Sequence, residues 1–517
     1  MNKVKQIIYA VVLGFVFTSC HDLLDVEAYS KLTDDNFWQN ADDIEAGVNG
    51  VYDVLGDKNA GLYNKDLLLL NILSTDESYT TRNGGEKQIS QFLYTPATSY
   101  LNNLWKGSYK LINRANVVIN SVQDLDSTKV SFDEKRRYLG EVKFLRALSY
   151  FNLVRNYNNV PLKLKPSEGM ESTHVPVAEV EDIYEVILQD LDSAIVGLPD
   201  HFGGGDLGRA DKAAAIALKA KVYLTMAGYP LLGGDNGTTD EYQNALDLAK
   251  ELIDNAATYS LGLWDNYSDA YTLENDNGKE DIFCVQFSST VGLSPSFEGS
   301  LIHKECFKGK TINGFKYDGK LTYRPSTYLI KAFEKNDTRA AMISPKYTVN
   351  GDEYSAGNKN PMFTKWLDQN ILDNQLNAQV SDQEFKVFRF AEIYLIAAEA
   401  ENELNGPENA YQYINVIRAR ARELDESGNP IEGAVPDLEG LTQVDFRAAV
   451  LNERLVELHA EAKRWYDLVR TQTFDEQILA AQAAKSSEFP NPAPETLFFP
   501  IPYDEYTVND SIDYVYQ

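Results

Sequence analysis

The chain has 517 residues, 44% hydrophobic and 24% charged, with a formal net charge of -29. This is ordinary globular material, long enough for a large core or for several packed layers. So acidic a chain repels a phosphate backbone, which argues against nucleic acid and, more weakly, against any anionic polymer as a partner.

In chain order, Lys3 and Lys5 precede an apolar run from Ile7 to Phe17 that is too short to span a bilayer as a permanent helix. Phe17-Thr18-Ser19-Cys20 then resembles a bacterial lipobox, with Phe17 where Leu, Val or Ile is usual. The expectation is a lipoprotein signal peptide over residues 1–19 with lipid attachment at Cys20. Residues 20–40 then form a lipidated tether, and 41–517 a single domain. Each acyl chain contributes about 0.8 kcal/mol per buried CH₂, so several chains anchor stably.

Asp42 to Leu55 reads as a helix, and 59–100 as loops and brief strands. Asn102 to Val122 is helical, with Trp105, Tyr109, Ile112 and Val117 facing in, and Asp133 to Tyr157 is a longer helix ended by Val160-Pro161. Val180 to Leu198 is amphipathic and stops at Pro199. Asp211 to Met226 is Ala-rich, with Glu241 to Ala257 as its partner. From Arg389, Phe390, Ile393, Ala397, Ala400 and Leu404 recur at helical spacing. Asn405-Gly406-Pro407 breaks the pattern, and Ala410 to Leu424 repeats it. Such hairpins expose apolar faces that only stacked neighbours can bury. Their recurrence at 102–157, 180–227, 241 onward and 389–424 resembles interrupted tetratricopeptide repeats.

The fold class expected is therefore mainly α. About four tetratricopeptide-like hairpins form a scaffold over 41–258 and 387–470, broken by a long irregular insertion, 259–386, carrying short strands such as Ile282 to Phe287. Gln443 to Val469 reads as one helix, with Arg454, Glu457, Glu461 and Arg464 as a structural ion ladder along one side. An extended tail occupies 471–517, where LFFPIP blocks helix. Cys284 and Cys306 could pair in an exported protein, but two buried free thiols are the preferred reading.

Catalytic signatures are missing. The five histidines lack ligand spacing. Gly309-Lys310-Thr311 ends like a phosphate-binding loop, but Lys304 stands where its first glycine must be. Gly292-Leu293-Ser294-Pro295-Ser296 lacks the closing glycine of a nucleophile elbow. Glu274-Asn275-Asp276-Asn277-Gly278 offers oxygens that suit Ca²⁺, without EF-hand spacing; a solvated turn is preferred and no cofactor is expected.

Taken together, the segments resemble the SusD/RagB family of Bacteroidota surface lipoproteins over nearly the whole chain. The resemblance rests on Cys20 with Asp22-Leu23-Leu24-Asp25, on Asn36-Phe37-Trp38, and on Trp105, Tyr109, Ile112, Ala115 and Asn116 at the family's spacing. It continues in GEVKFLRALSYFNLVRNYNNVPL at 140–162, in Arg389 to Ala400, in ERLVELHAEAKRWYDLVR, and in Ile501-Pro502 with Glu505 and Asn509. Ala462 replaces a common glycine, and the final residues depart from the family ending.

The resemblance implies a non-catalytic lid that captures glycan over a SusC-like TonB-dependent outer-membrane transporter. The same scaffold binding peptide is the alternative. By position in the segment before the Trp105 helix, the resemblance puts ligand contacts at Tyr94 first, then at Tyr79, Arg82, Phe92 and Tyr100. Phe297, Phe315 and Tyr317 in the insertion are further candidates, whereas Trp264 and Trp366 read as core.

Overall fold

The structure is a computed structural model. It describes residues 37–169, 172, 174–228, 239–288, 311–312, 315–316, 321–349, 352–367 and 381–512. Cys20, Phe297, Cys306 and Tyr317 lie outside the described residues, and Phe315 is described only as part of a strand.

The fold is mainly helical. α1 (Ala41–Gly56) starts at a reciprocal cap, Asn40 accepting from the amides of Asp42 and Asp43 while Asp43 reaches back. α2 (Asp66–Leu73) and α3 (Gly85–Ser90) follow, then the long pair α4 (Ser99–Gln123) and α5 (Phe132–Tyr157). Next come α6 (Val180–Gly197), α7 (Lys212–Met226, capped by Asp211) and α8 (Thr239–Asp254). After α9 (Thr327–Ala332), the hairpin α10 (Phe390–Asn405) and α11 (Tyr411–Arg420) precedes α12 (Gln443–Glu457), α13 (Arg464–Arg470), α14 (Phe474–Lys485) and α15 (Tyr503–Val508).

The long helices stack in chain order: α1 on α4, α4 on α5, α5 on α6, α6 on α7, α7 on α8, α8 on α10, and α10 on α11 and α12. Small residues set the closeness. A Cβ at Gly197 would stand 2.6 Å from the carbonyl oxygen of Arg136, so α5 and α6 meet there only because position 197 is glycine.

The chain leaves this stack after α8 and rejoins it at α10. The two ends of the excursion are zipped together: β2 (Asp281–Val285) pairs antiparallel with β10 (Phe385–Arg389), Phe385 opposite Val285 and Arg389 opposite Asp281. Between them the described strands are short antiparallel pairs: β3 (Thr311–Ile312) with β4 (Phe315–Lys316), β6 (Ile343–Ser344) with β9 (Met362–Phe363), and β7 (Lys346–Val349) with β8 (Asp352–Ser355). β5 (Arg324–Pro325) pairs instead with β1 (Ser78–Tyr79), outside the insertion.

Four expectations are corrected. The segment 59–100 contains helices, because all eight residues of α2 are buried and a helix enclosed on every side shows no amphipathic period. Val117 on α4 is only partly buried against the core, and its neighbour Val118 is the fully buried one. The tail begins with a helix, α14, which buries Phe474, Ile478 and Ala481. The single helix expected to Val469 breaks after Glu457, where Ala460 and Ala462 adopt φ of 57° and 56°.

That break dissolves the expected ion ladder. Arg454, Glu457, Glu461 and Arg464 are all buried, and none pairs with another. Glu457 accepts from Arg389 at 3.2 Å, from Arg420 at 2.5 Å and from Arg339 at 3.2 Å. Glu461 accepts from Lys365 at 2.6 Å, from Arg389 at 2.8 Å and from the Tyr271 hydroxyl at 2.9 Å. Glu280 of the insertion joins through Arg389 at 2.6 Å and Arg420 at 2.7 Å. Trp366, expected in the core, is 1% exposed and donates to the Ala460 carbonyl at 2.8 Å. Trp264 is partly buried against the core, with Lys279 over its ring at 4.6 Å.

Burial alone would raise the Glu457 carboxyl; Arg420, Arg389 and Arg339 overcome it and hold it at about 2. Its stabilising contribution is complete above the ordinary glutamate range and is lost as pH falls through about 2. Glu457→Gln leaves three guanidinium groups short of a counter-charge. It is expected to cost about 3–5 kcal/mol, read from denaturant midpoints, and to flatten the acid limb of a stability–pH curve.

Candidate functional site

The segment before α4 is held from below by two buried carboxylates. Asp76 accepts two guanidinium N–H groups of Arg464, at 2.8 and 2.6 Å. Its main-chain oxygen accepts the Ser326 hydroxyl at 2.5 Å. Glu77 accepts the Ala460 amide at 3.1 Å through one side-chain oxygen, and its other oxygen has no hydrogen-bond partner among the described residues. Burial pushes this carboxyl up to about 8, against the pull of that amide.

On this base β1 runs against β5, Ser78 opposite Pro325 and Tyr79 opposite Arg324. Strand alternation turns Ser78 inward and leaves Tyr79 half-buried. The Arg324 guanidinium reaches the Asn360 amide oxygen at 3.4 Å. The Arg82 amide donates to the Thr80 hydroxyl at 3.1 Å, and its side chain, 37% exposed, stands 3.9 Å from Glu86. Gly84, at φ 105°, turns the chain into α3. The Tyr100 ring lies flush against Gly85, where a Cβ would be 2.7 Å from it. Lys65 lies 5.3 Å from the centre of that ring. Burial first, and then Glu86, hold the Tyr100 phenol above its usual range.

Phe92 and Tyr94 face elsewhere. Phe92 meets Phe474 edge-on at 5.9 Å, and Tyr94 meets Phe499 edge-on at 4.9 Å. The Tyr94 hydroxyl is enclosed without a hydrogen-bond partner among the described residues. Tyr94, the first-ranked candidate, is thus a buttress between this segment and the tail. Tyr79, Arg82 and Tyr100 share one partly exposed ledge with Arg324 and Asn360. The last two were not singled out by sequence: they come from an aperiodic stretch, where the only cue was the extended backbone that Pro325 imposes on Arg324.

The rest of the described surface offers little chemistry. His459 is buried and its ring held well below the usual range by burial and by Lys365. His174 and His201 each pair with an aspartate, Asp510 and Asp211. Among the described residues no cluster of three His, Cys, Asp or Glu could hold a metal. In the 274–278 turn, Asp276 accepts from Lys386 at 2.9 Å, while Asn275 and Asn277 donate to the Asp269 carbonyl and the Gln286 amide oxygen. Cys284 is buried as a free thiol. Clefts of about 180 Å³ (His201 to Tyr259), 350 Å³ (Tyr52 to Phe287) and 330 Å³ (Tyr328 to Val444) share no residue with the ledge.

Residues 315–516 match the model of the SusD family, and residues 22–224 match a related model described as starch-binding and associating with the outer membrane. The chain belongs to the SusD family. It is 27% identical to the SusD-like protein P25 of Formosa agariphila, over 98% of this chain and 97% of that protein. Three solved structures share the fold. A SusD homologue from Bacteroides thetaiotaomicron has a TM-score of 0.77 at 23% identity, covering 93% of this chain and 97% of its own. One solved with xylogluco-oligosaccharide has a TM-score of 0.72 at 21% identity, covering 91% and 100%. A laminarin-binding SusD-like protein has a TM-score of 0.70 at 24% identity, covering 92% and 99%.

In this SusD-family chain the ledge's base carries its own pH signature. The raised Glu77 carboxyl contributes stability that is full below the ordinary glutamate range and is lost as pH rises through about 8. Glu77→Gln keeps an acceptor for the Ala460 amide. It is expected to match the wild type in melting temperature near pH 5 and to exceed it near pH 9.

Proposed function

We propose that this protein is a non-catalytic outer-membrane lipoprotein. It is anchored through Cys20, faces the cell exterior, captures a neutral oligosaccharide or polysaccharide and passes it to a SusC-like TonB-dependent transporter. Membership of a family whose matching model is described as starch-binding at the outer membrane carries this reading. The xylogluco-oligosaccharide and laminarin relatives support a carbohydrate cargo. The net charge of -29 favours a neutral sugar over an acidic one.

The ledge supplies what a sugar needs. An aromatic face such as Tyr79 covers the apolar C–H side of a pyranose, and the Arg82 and Arg324 guanidinium groups and the Asn360 amide donate to hydroxyl edges. Phe297, Phe315 and Tyr317 of the insertion remain candidate ligand contacts. β1 is two residues long and already paired with β5, so it offers a peptide little free edge for backbone pairing.

Titration calorimetry against a panel of neutral oligosaccharides tests the cargo. Tyr79→Ala and Arg82→Ala are each expected to weaken the best ligand about tenfold, or about 1.4 kcal/mol. Tyr94→Phe, which removes an enclosed and unpartnered hydroxyl, should leave binding unchanged and stability equal or higher. Binding of peptides with no heat from any glycan would overturn the cargo assignment. Cys20→Ala is expected to abolish labelling by a fatty-acid analogue and release the protein from the membrane.

A further inference from the structure

A small cavity of about 20 Å³ lies where α2, α5, α7, β10 and the chain from Glu461 to Tyr466 come together. Every residue lining it is buried. Such a volume holds one small solute.

Its wall is cationic. Arg155, Lys221 and Lys463 line it with one carboxylate, Glu461. Glu461 is already engaged by Lys365, Arg389 and Tyr271. Lys221 and Lys463 share the Glu392 carboxylate, at 2.5 and 3.5 Å, and Arg454 draws on it too at 3.2 Å.

Arg155 has no such partner among the described residues. Its Nε donates to the Phe151 carbonyl at 3.1 Å and its Nη2 to the Asn152 amide oxygen at 2.8 Å, while Nη1 donates to nothing. The rings of Phe151 and Tyr466 each stand 3.7 Å from the guanidinium carbon, which fixes the group and offsets part of its desolvation. A guanidinium cannot shed its proton, so at 6% exposure it requires a counter-charge.

We propose that the cavity binds a single monovalent anion of chloride size, held by Arg155 Nη1 with the ammonium groups of Lys221 and Lys463. The anion is structural. It joins α2 and α5 of the N-terminal helices to α7, to the strand that returns from the insertion, and to the turn after α12. Burial, with Lys463, Arg155 and Arg454 nearby, holds the Lys221 ammonium well below its usual range despite Glu392, and a bound anion relieves that repulsion.

Crystals of the wild-type protein grown in bromide test the site. An anomalous peak within hydrogen-bonding distance of Arg155 Nη1 is expected. At constant ionic strength, replacing gluconate by chloride should raise the melting temperature by about 1–3 °C per tenfold increase in chloride. Arg155→Met, which keeps the reach without the charge, should abolish that dependence; if this variant does not fold, the wild-type bromide map decides. A cavity holding only water in that map, or equal melting in chloride and gluconate, overturns the proposal.

Discussion

The buried ion network around Glu457 and Glu461 is the constraint on which the rest of the structure depends. It draws Arg389 from the start of α10, Arg420 from the end of α11, and Arg339 and Lys365 from the insertion onto two carboxylates beside the α12 break, and Glu280 of the insertion joins through Arg389 and Arg420. Moving this many charges out of water costs several kcal/mol per ion, and the network returns that only if every partner is in place. The insertion also packs apolar side chains such as Tyr271, Phe363 and Trp366 into the core. Charge pairing of this kind has little tolerance for a displaced partner, so the insertion docks in one position. β2–β10 pairing then closes its two ends with backbone bonds that any sequence could make.

The same turn carries the candidate site. Arg464 holds Asp76, the Ala460 amide holds Glu77, and these two residues lead directly into β1 and the ledge of Tyr79 and Arg82. The ledge is therefore supported by core residues while its own side chains stay partly exposed. That arrangement suits a binding protein: the base is rigid, and the contacting groups can change without disturbing it. The tail adds a second brace, where Phe499 stacks on Trp465 at 4.7 Å, donates its amide to the Asn156 carbonyl at 2.7 Å, and receives the edge of Tyr94.

Sequence reading located every long helix of the stack, by amphipathic spacing in helices such as α1, α4 and α6 and by length and composition in α5, α7 and α10, which are buried on nearly every side. It failed where neither signal is present. α2 is enclosed on all sides, and the 458–463 break is made by two alanines in a left-handed conformation that nothing in their identity foretells. The candidate site was legible as a segment and not as residues. Tyr79 and Tyr94 are the same side chain in similar polar surroundings. One alternates outward from a two-residue strand, and the other is caught by Phe499, which lies some four hundred residues along the chain.

The sequence by itself determined the family, the helical stack and the order of its hairpins, since these follow from local spacing and from motifs read along the chain. Only the tertiary structure decided which charges are buried, which aromatic rings remain available, and that Arg155 meets no carboxylate among the described residues. Those outcomes depend on pairings between distant segments, and the energy of a buried charge or an exposed ring is set by what stands within a few ångströms in space.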